Sequence, residues 1–264
     1  PFTSAYYIML LPYSIVTISI VTALLPHLSK LAIEKNVEEV RKQLIRAIKM
    51  VGVITIPSSV AFLFFGALMT EALYFGISLE DSRYIGHVLS ALSLGLVAFS
   101  INLILIRGFN AFEDTRTQVI SILIINIISV ALSYASLEFL DSQQVTIGLG
   151  LAFSVSYIVG LFITLSLLKK HTGKLAFSTF AGHHAKLYIA SILAMAPLFA
   201  LVYLFEWESV ESSLIVRALR LGLILALSGT FYLLLAKLFK VAEIATLAEF
   251  GRGLLKKRKG RLDP

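Results

Sequence analysis

The stretch VISILIINIISVALSYASLEF, residues 119–139, carries no charge until Glu138. A helix needs about 20 mainly apolar residues to cross the roughly 30 Å hydrocarbon core of a bilayer. Its aliphatic residues run contiguously, without the strict alternation of a barrel strand, so this stretch reads as a spanning helix. Six further segments read the same way, approximately 5–28, 47–75, 84–106, 145–168, 187–205 and 214–239. The expected fold class is an all-α membrane protein, a polytopic bundle of about seven transmembrane helices. Composition agrees: of 264 residues, 58% are apolar and 15% charged, with mean hydropathy +0.87. Soluble domains carry about 45–50% apolar and about 25% charged residues. An ordinary soluble enzyme and a disordered chain are both excluded. With no cysteine, there is no disulfide framework or thiolate metal site. The chain opens on Pro1 rather than Met and shows no signal peptide, as expected of a piece of something longer.

Charge orients the bundle. If the loop after the first span is cytoplasmic, 20 of the 23 lysines and arginines fall on that side, from Lys30 and Lys35 to the cluster Lys256, Lys257, Arg258 and Lys259. Arg83, Arg217 and Arg220 lie near the other face, whose loops are acidic at Glu80, Asp81, Glu138, Asp141, Glu206, Glu208 and Glu211. The positive-inside rule therefore places the C-terminus in the cytoplasm. Two segments look interfacial. Asn36 with Glu39 reads as a helix start, followed by Val37, Val40, Leu44, Ile45 and Ile48 on one face and Glu38, Arg41, Lys42, Arg46 and Lys49 on the other. Ile244, Leu247, Phe250 and Leu254 form a second apolar stripe before the basic cluster.

Residues able to carry chemistry are sparse. No metalloprotease, nucleophile-elbow or phosphate-loop motif occurs. His183 and His184 are adjacent and therefore do not share a helix face, so a solvated turn is expected there rather than a metal site. Glu71, at an outer helix end, is expected to face water or headgroups. No cofactor, metal, catalytic group or nucleic-acid partner is expected. Uncharged polar groups inside the spans, among them Tyr6, Tyr7, Asn102, Asn126 and Ser154, can hydrogen-bond between helices or touch a substrate. Asn126, Ser129 and Ser133 share a helix face. Pro12, Pro26, Pro57 and Pro197 each remove a backbone donor and can bend a helix.

Two motifs are more specific than composition. LLPHLSK (24–30) ends the first span with Pro26, Ser29 and Lys30, after Pro12 opens it. RGFNAFEDTRTQ (107–118) ends one span at Arg107, Gly108 and Phe109. It then turns through a polar loop into the helix beginning near Asp114, Thr115, Arg116 and Thr117, where Thr115 and Gln118 have capping-box spacing. At these residues the sequence resembles the MviN/MurJ family of lipid II flippases, of the multidrug/oligosaccharidyl-lipid/polysaccharide exporter superfamily. The likeness runs from about Ser4 to Phe239. The family commonly has tyrosine at Asn110 and proline at Gln118.

The resemblance implies the last seven of fourteen helices: a partial C-terminal lobe over 1–170, two additional helices over 171–241, and a basic cytoplasmic tail over 242–264. It implies alternating access in a bacterial plasma membrane, with an undecaprenyl-pyrophosphate-linked peptidoglycan precursor as cargo. The polyprenyl tail would lie in a lipid-side groove to which the last two helices contribute. Implied partners are membrane lipids, the remaining N-terminal half of the transporter, and cell-wall synthesis or division proteins. The family's cavity arginine aligns with Tyr7 and the acid before it with Tyr6, so neither charge is present. Asn126 and Ser154 match two polar positions of the family's sodium site, but Val130 stands where an acid is needed. Two other functions stay open: export of another polyprenyl-linked oligosaccharide or a drug, and a non-catalytic scaffold for cell-wall enzymes. A membrane glycosyltransferase is disfavoured, because no carboxylates stand at a plausible site.

Overall fold

Residues 1–74, 76–173, 175, 178–205 and 213–244 are described by the computed structural model. They form helices α1 (Phe2–Pro12), α2 (Ile18–Ile33), α3 (Val37–Leu73), α4 (Leu79–Ala111), α5 (Thr115–Phe139), α6 (Val145–Thr172), α7 (Ser178–Leu204) and α8 (Leu214–Leu238). A π-helical turn, Tyr13–Thr17, joins α1 to α2. Lys174, Glu206, Glu208, Glu211 and the second amphipathic stripe beyond Ile244, with its basic cluster, lie outside the described residues.

Helices α3 to α8 are each long and apolar enough to cross a membrane. The expected first span is a continuous helical run broken by the π turn, which begins directly after Pro12. Proline has no N–H to donate into the ladder and its ring crowds the preceding turn. A widened turn, with its i→i+5 bonding, is one way to accommodate such a break. Helix starts follow the polar residues before each apolar run. Asn36 Oδ1 accepts from the Glu39 amide at 3.2 Å, and Ser78 Oγ accepts from the Asp81 amide at 3.0 Å. At α5 the cap is Asp114, which accepts from the Thr117 amide at 3.1 Å, so the Thr115/Gln118 box is not used.

The segment at 36–49 does not form a separate surface helix. It is the first part of α3, whose 37 residues extend about 55 Å. Val40, Leu44 and Ile48 are fully buried in the protein, so this part of the apolar stripe packs against neighbouring helices, while Val37 is exposed and Ile45 half-buried. The helix kinks at Phe65, which has non-helical φ and ψ, eight residues beyond Pro57.

Small residues set the closest crossings, as membrane helices require when packing rather than a hydrophobic gradient holds them together. A Cβ on Gly86 would stand 2.5 Å from the Cα of Ala67, so α3 and α4 approach backbone to backbone. Beside that crossing, Ser90 Oγ donates to Phe62 O at 3.0 Å and Ser59 Oγ donates to Ser93 O at 2.6 Å. A Cβ on Gly95 would meet the Ser154 Cα at 2.6 Å, setting the α4–α6 crossing. Helix α4 is the centre, touching α1, α2, α3, α5 and α6, whereas among the described elements α8 touches only α3 and α7.

Two side chains expected at the surface are buried. Glu71 is 5% exposed and accepts from Arg83 Nε at 2.6 Å. A carboxylate taken from water needs such a partner, and the α3–α4 hairpin supplies it. His183 and His184 lie within α7 rather than in a solvated turn. His184 is buried, its ring packs against Gly52, and its Nδ1 is 2.9 Å from Phe180 O. His183 Nδ1 stands 3.5 Å from Glu243 Oε2.

Candidate functional site

Three features stand out as candidate sites: an aromatic face, a clasp at the α4–α5 turn and an apolar groove between α3 and α8. The aromatic face is built by α1, the π turn, α4 and α6. Tyr6 is half-buried, stacked on Phe2 and edge-on to Phe153 at 5.9 Å. Tyr13, carried by the π turn, meets Phe99 at 5.0 Å, and Phe99 meets Tyr157 at 5.0 Å. Ring faces and phenol hydroxyls in one patch can pack against a sugar and bond to it. Arg107 lies four residues before the end of α4. Its Nε is buried without a hydrogen-bond partner.

The substrate-path candidates divide by burial. Tyr7 is 65% exposed on α1, and Asn126 is exposed on α5 beside Val130. Ser129 and Ser133 are half-buried on the same helix. Asn102 and Ser154 are buried and bonded between helices. Asn102 Nδ2 donates to Tyr157 O at 3.1 Å and Ser154 Oγ donates to Ala91 O at 2.6 Å. The Oδ1 of Asn102 has no partner. Asn126 and Ser154 thus stand in different surroundings, one exposed and one engaged with α4. Among the described residues no group of three or more histidines and carboxylates could hold a metal ion.

The motif at 107–118 builds the clasp. A Cβ on Gly108 would stand 3.0 Å from Leu168, with Leu44 also in contact, so the glycine lets α3, α4 and α6 converge. Phe109 is fully buried. Asp114, besides capping α5, accepts from Lys170 Nζ at 2.6 Å and pairs with His171 Nε2 at 2.7 Å. Lys170 Nζ also donates to Thr117 Oγ1 at 2.6 Å. The His171 bond, then Lys170 and Thr117, hold the Asp114 carboxyl far below the usual carboxylate range. Phe112 stacks on the His171 ring at 4.9 Å. Thr115 and Arg116 are exposed at the start of α5. In the other motif Pro26 and Lys30 are exposed and Ser29 is half-buried, while Leu24 and Leu28 face the core.

The groove, about 1130 Å³, lies between α3 and the C-terminal half of α8. Val53, Ile54, Pro57 and Ser58 form one wall; Gly229, Thr230, Leu233 and Leu234 form the other, with Lys237 and Lys240 at one end. Tyr232 Oη donates to Val53 O at 2.7 Å and ties the two helices together. Reading the sequence did not single out Tyr232, although Pro57 is a signal for it. Proline leaves the carbonyl four residues earlier, Val53, without its helical donor.

A family model described as lipid II flippase MurJ matches residues 3–218. The chain belongs to the MurJ family. A probable lipid II flippase MurJ of Rhizobium tropici is 25% identical over 254 residues, 94% of this chain and 46% of the relative. That of Rhizobium meliloti (strain 1021) is 33% identical over 112 residues, 42% of this chain and 21% of the relative. That of Borreliella burgdorferi is 23% identical over 199 residues, covering 74% and 38%. A solved lipid II flippase MurJ, in an inward closed conformation, superposes with TM-score 0.69 at 21% identity, covering 92% of this chain and 47% of that one. The chain therefore has a MurJ-like fold and spans less than half the length of these relatives. Both motifs, at 24–30 and 107–118, lie within the matched residues. With six long apolar helices among its described residues, this MurJ-family chain is a multi-pass membrane protein.

Proposed function

We propose that this chain forms the second half of a transporter that moves lipid II, the undecaprenyl-pyrophosphate-linked peptidoglycan precursor, outward across a bacterial plasma membrane. The observation that carries this reading is the family match, which runs through the lobe and into α8. The lobe over 1–170 rocks against an N-terminal half in alternating access, and 171–241 adds two helices. That α8, among the described elements, touches only α3 and α7 supports this division. The aromatic face and Arg107 offer ring faces and donors to the polar head, and the apolar groove offers a place beside the polyprenyl tail. Because Tyr6 and Tyr7 stand where the family's charges align, the main anion site belongs to the N-terminal half. The C-terminus is cytoplasmic, as the 20 basic residues on that side support. A reporter fused after Lys259 then reads cytoplasm, and one after Asp141 reads outside.

The test is outward appearance of labelled lipid II in vesicles carrying this chain alone, or together with the N-terminal half of a MurJ relative. A bulky anionic head needs a shielded cavity to cross about 30 Å of hydrocarbon. Translocation is expected only with both halves. Translocation by this chain alone, or its absence with both halves correctly inserted, overturns the proposal.

A further inference from the structure

The first span has one residue more than an unbroken α-helix can place. Its buried face runs through Ala5 and Met9 in α1, then Thr17, Val21, Leu24 and Leu28. From Met9 to Thr17 that face advances eight residues over two turns, where two α turns take about seven. The exposed face leaves the same remainder. Tyr7 and Thr22 are both exposed and fifteen residues apart, where four α turns take about fourteen. The surplus falls between α1 and α2, where Tyr13–Thr17 forms the π turn. An i→i+5 ring takes in one more residue than an i→i+4 ring, so the turn holds the surplus and the faces on either side stay aligned. Thr17 shows the difference. Ser14 Oγ and Thr22 Oγ1 donate to carbonyls four residues earlier, at 2.7 and 2.8 Å, but the buried Thr17 Oγ1 has no partner.

We propose that the π turn is a phase-setting device, taking up one residue so that α1 turns Tyr6 onto the aromatic face and leaves Tyr7 off it. Each residue added to an α-helix rotates everything beyond it by about 100°. In an unbroken α-helix anchored through α2, each residue of α1 would stand where its predecessor now does. Tyr7 would then face Phe153, and Ile8 would take the open position of Tyr7. Tyr6 would be driven to the place of Ala5, which is fully buried. Pro12 prepares the site, since it has no N–H to contribute to an α ladder. What matters in the turn is the number of its residues more than their identity. The role is read from the phase of the two faces and does not depend on what the chain transports, so it stands or falls separately from the flippase reading.

The chain has no cysteine, so single nitroxide labels can be attached through Tyr7→Cys or, separately, Ile8→Cys in the purified 264-residue chain in nanodiscs. Tyr7 is 65% exposed and Ile8 6%. With the natural turn, paramagnetic resonance should show a mobile, oxygen-accessible label at 7 and an immobilised, shielded one at 8. Ser14 is exposed and its Oγ bonds to Leu10 O within the same helical run. Deleting it should close the turn to an α-helix and keep that order. Inserting one alanine after Ser14 should reverse the order, with 8 accessible and 7 shielded. Loss of the folded state on insertion but not on deletion supports the proposal equally, since Tyr6 does not fit the place of Ala5. A deletion that reverses the order, or that prevents folding, overturns the proposal, because the turn then holds no spare residue. So does an insertion that leaves the natural order, because the turn then does not set the phase.

Discussion

Removing the Tyr232 hydroxyl tests how α8 is held to the lobe. Pro57 sits inside α3, and having no N–H it leaves the Val53 carbonyl without its i+4 donor. Tyr232 Oη supplies that donor at 2.7 Å from another helix, 179 residues along the chain. The tyrosine is 5% exposed and Val53 4% exposed, so water does not replace the bond. A buried carbonyl stripped of its partner costs about 1–3 kcal/mol. Interhelical hydrogen bonds in membranes run lower, about 0.6–2 kcal/mol, so Tyr232→Phe should cost about 1.5 kcal/mol. Pro57→Ala restores an N–H within reach of Val53 O by the helix's own geometry. In that background Tyr232→Phe should cost on the order of 1 kcal/mol less, because the carbonyl is satisfied without it. Reversible unfolding from mixed micelles by SDS titration measures all four proteins. If Tyr232→Phe costs the same with and without Pro57, the tyrosine is not compensating for the proline and the reasoning fails.

Gly86→Ala should destabilise the bundle by about 2–3 kcal/mol, since the new methyl meets the Ala67 backbone, which cannot rotate away. Gly222→Ala, with nothing within 4 Å of the new Cβ, should instead be neutral or stabilise by up to about 1 kcal/mol. Matching unfolding midpoints for the two would undo the account of the α3–α4 crossing. For Asp114, the folded carboxyl titrates below the unfolded value of about 3.9, so its contribution is complete above that pH and is lost as pH falls beneath it. The gap in unfolding midpoint between wild type and Asp114→Asn should therefore narrow as detergent samples are taken below about pH 4. A gap that does not change with pH means the clasp is not held by the ionised carboxylate.

The sequence alone determines that this chain crosses a membrane repeatedly, roughly where, and by its basic side with which proposed orientation. The cause is the bilayer. With no water to satisfy backbone groups, a long apolar run has only the helix available, as residues 119–139 illustrate. The cap at Asn36 was also legible, because it rests on local backbone chemistry. Which face each helix presents was not legible. Helices α4 and α5 have nearly equal hydropathy, 2.3 and 2.1, yet 78% of the apolar stretch of α4 is buried against 11% of that of α5. Lipid tails are as apolar as a protein core, so no periodicity separates the two environments. The same ambiguity made 36–49 read as a surface helix, since Val40, Leu44 and Ile48 suit a leaflet and a neighbouring helix equally well. Partnerships between distant residues lay beyond the sequence for a simpler reason. Glu71 with Arg83, Asp114 with Lys170 and His171, and the orphan carbonyl before Pro57 with Tyr232 depend on which helices end side by side, and only the packed bundle decides that.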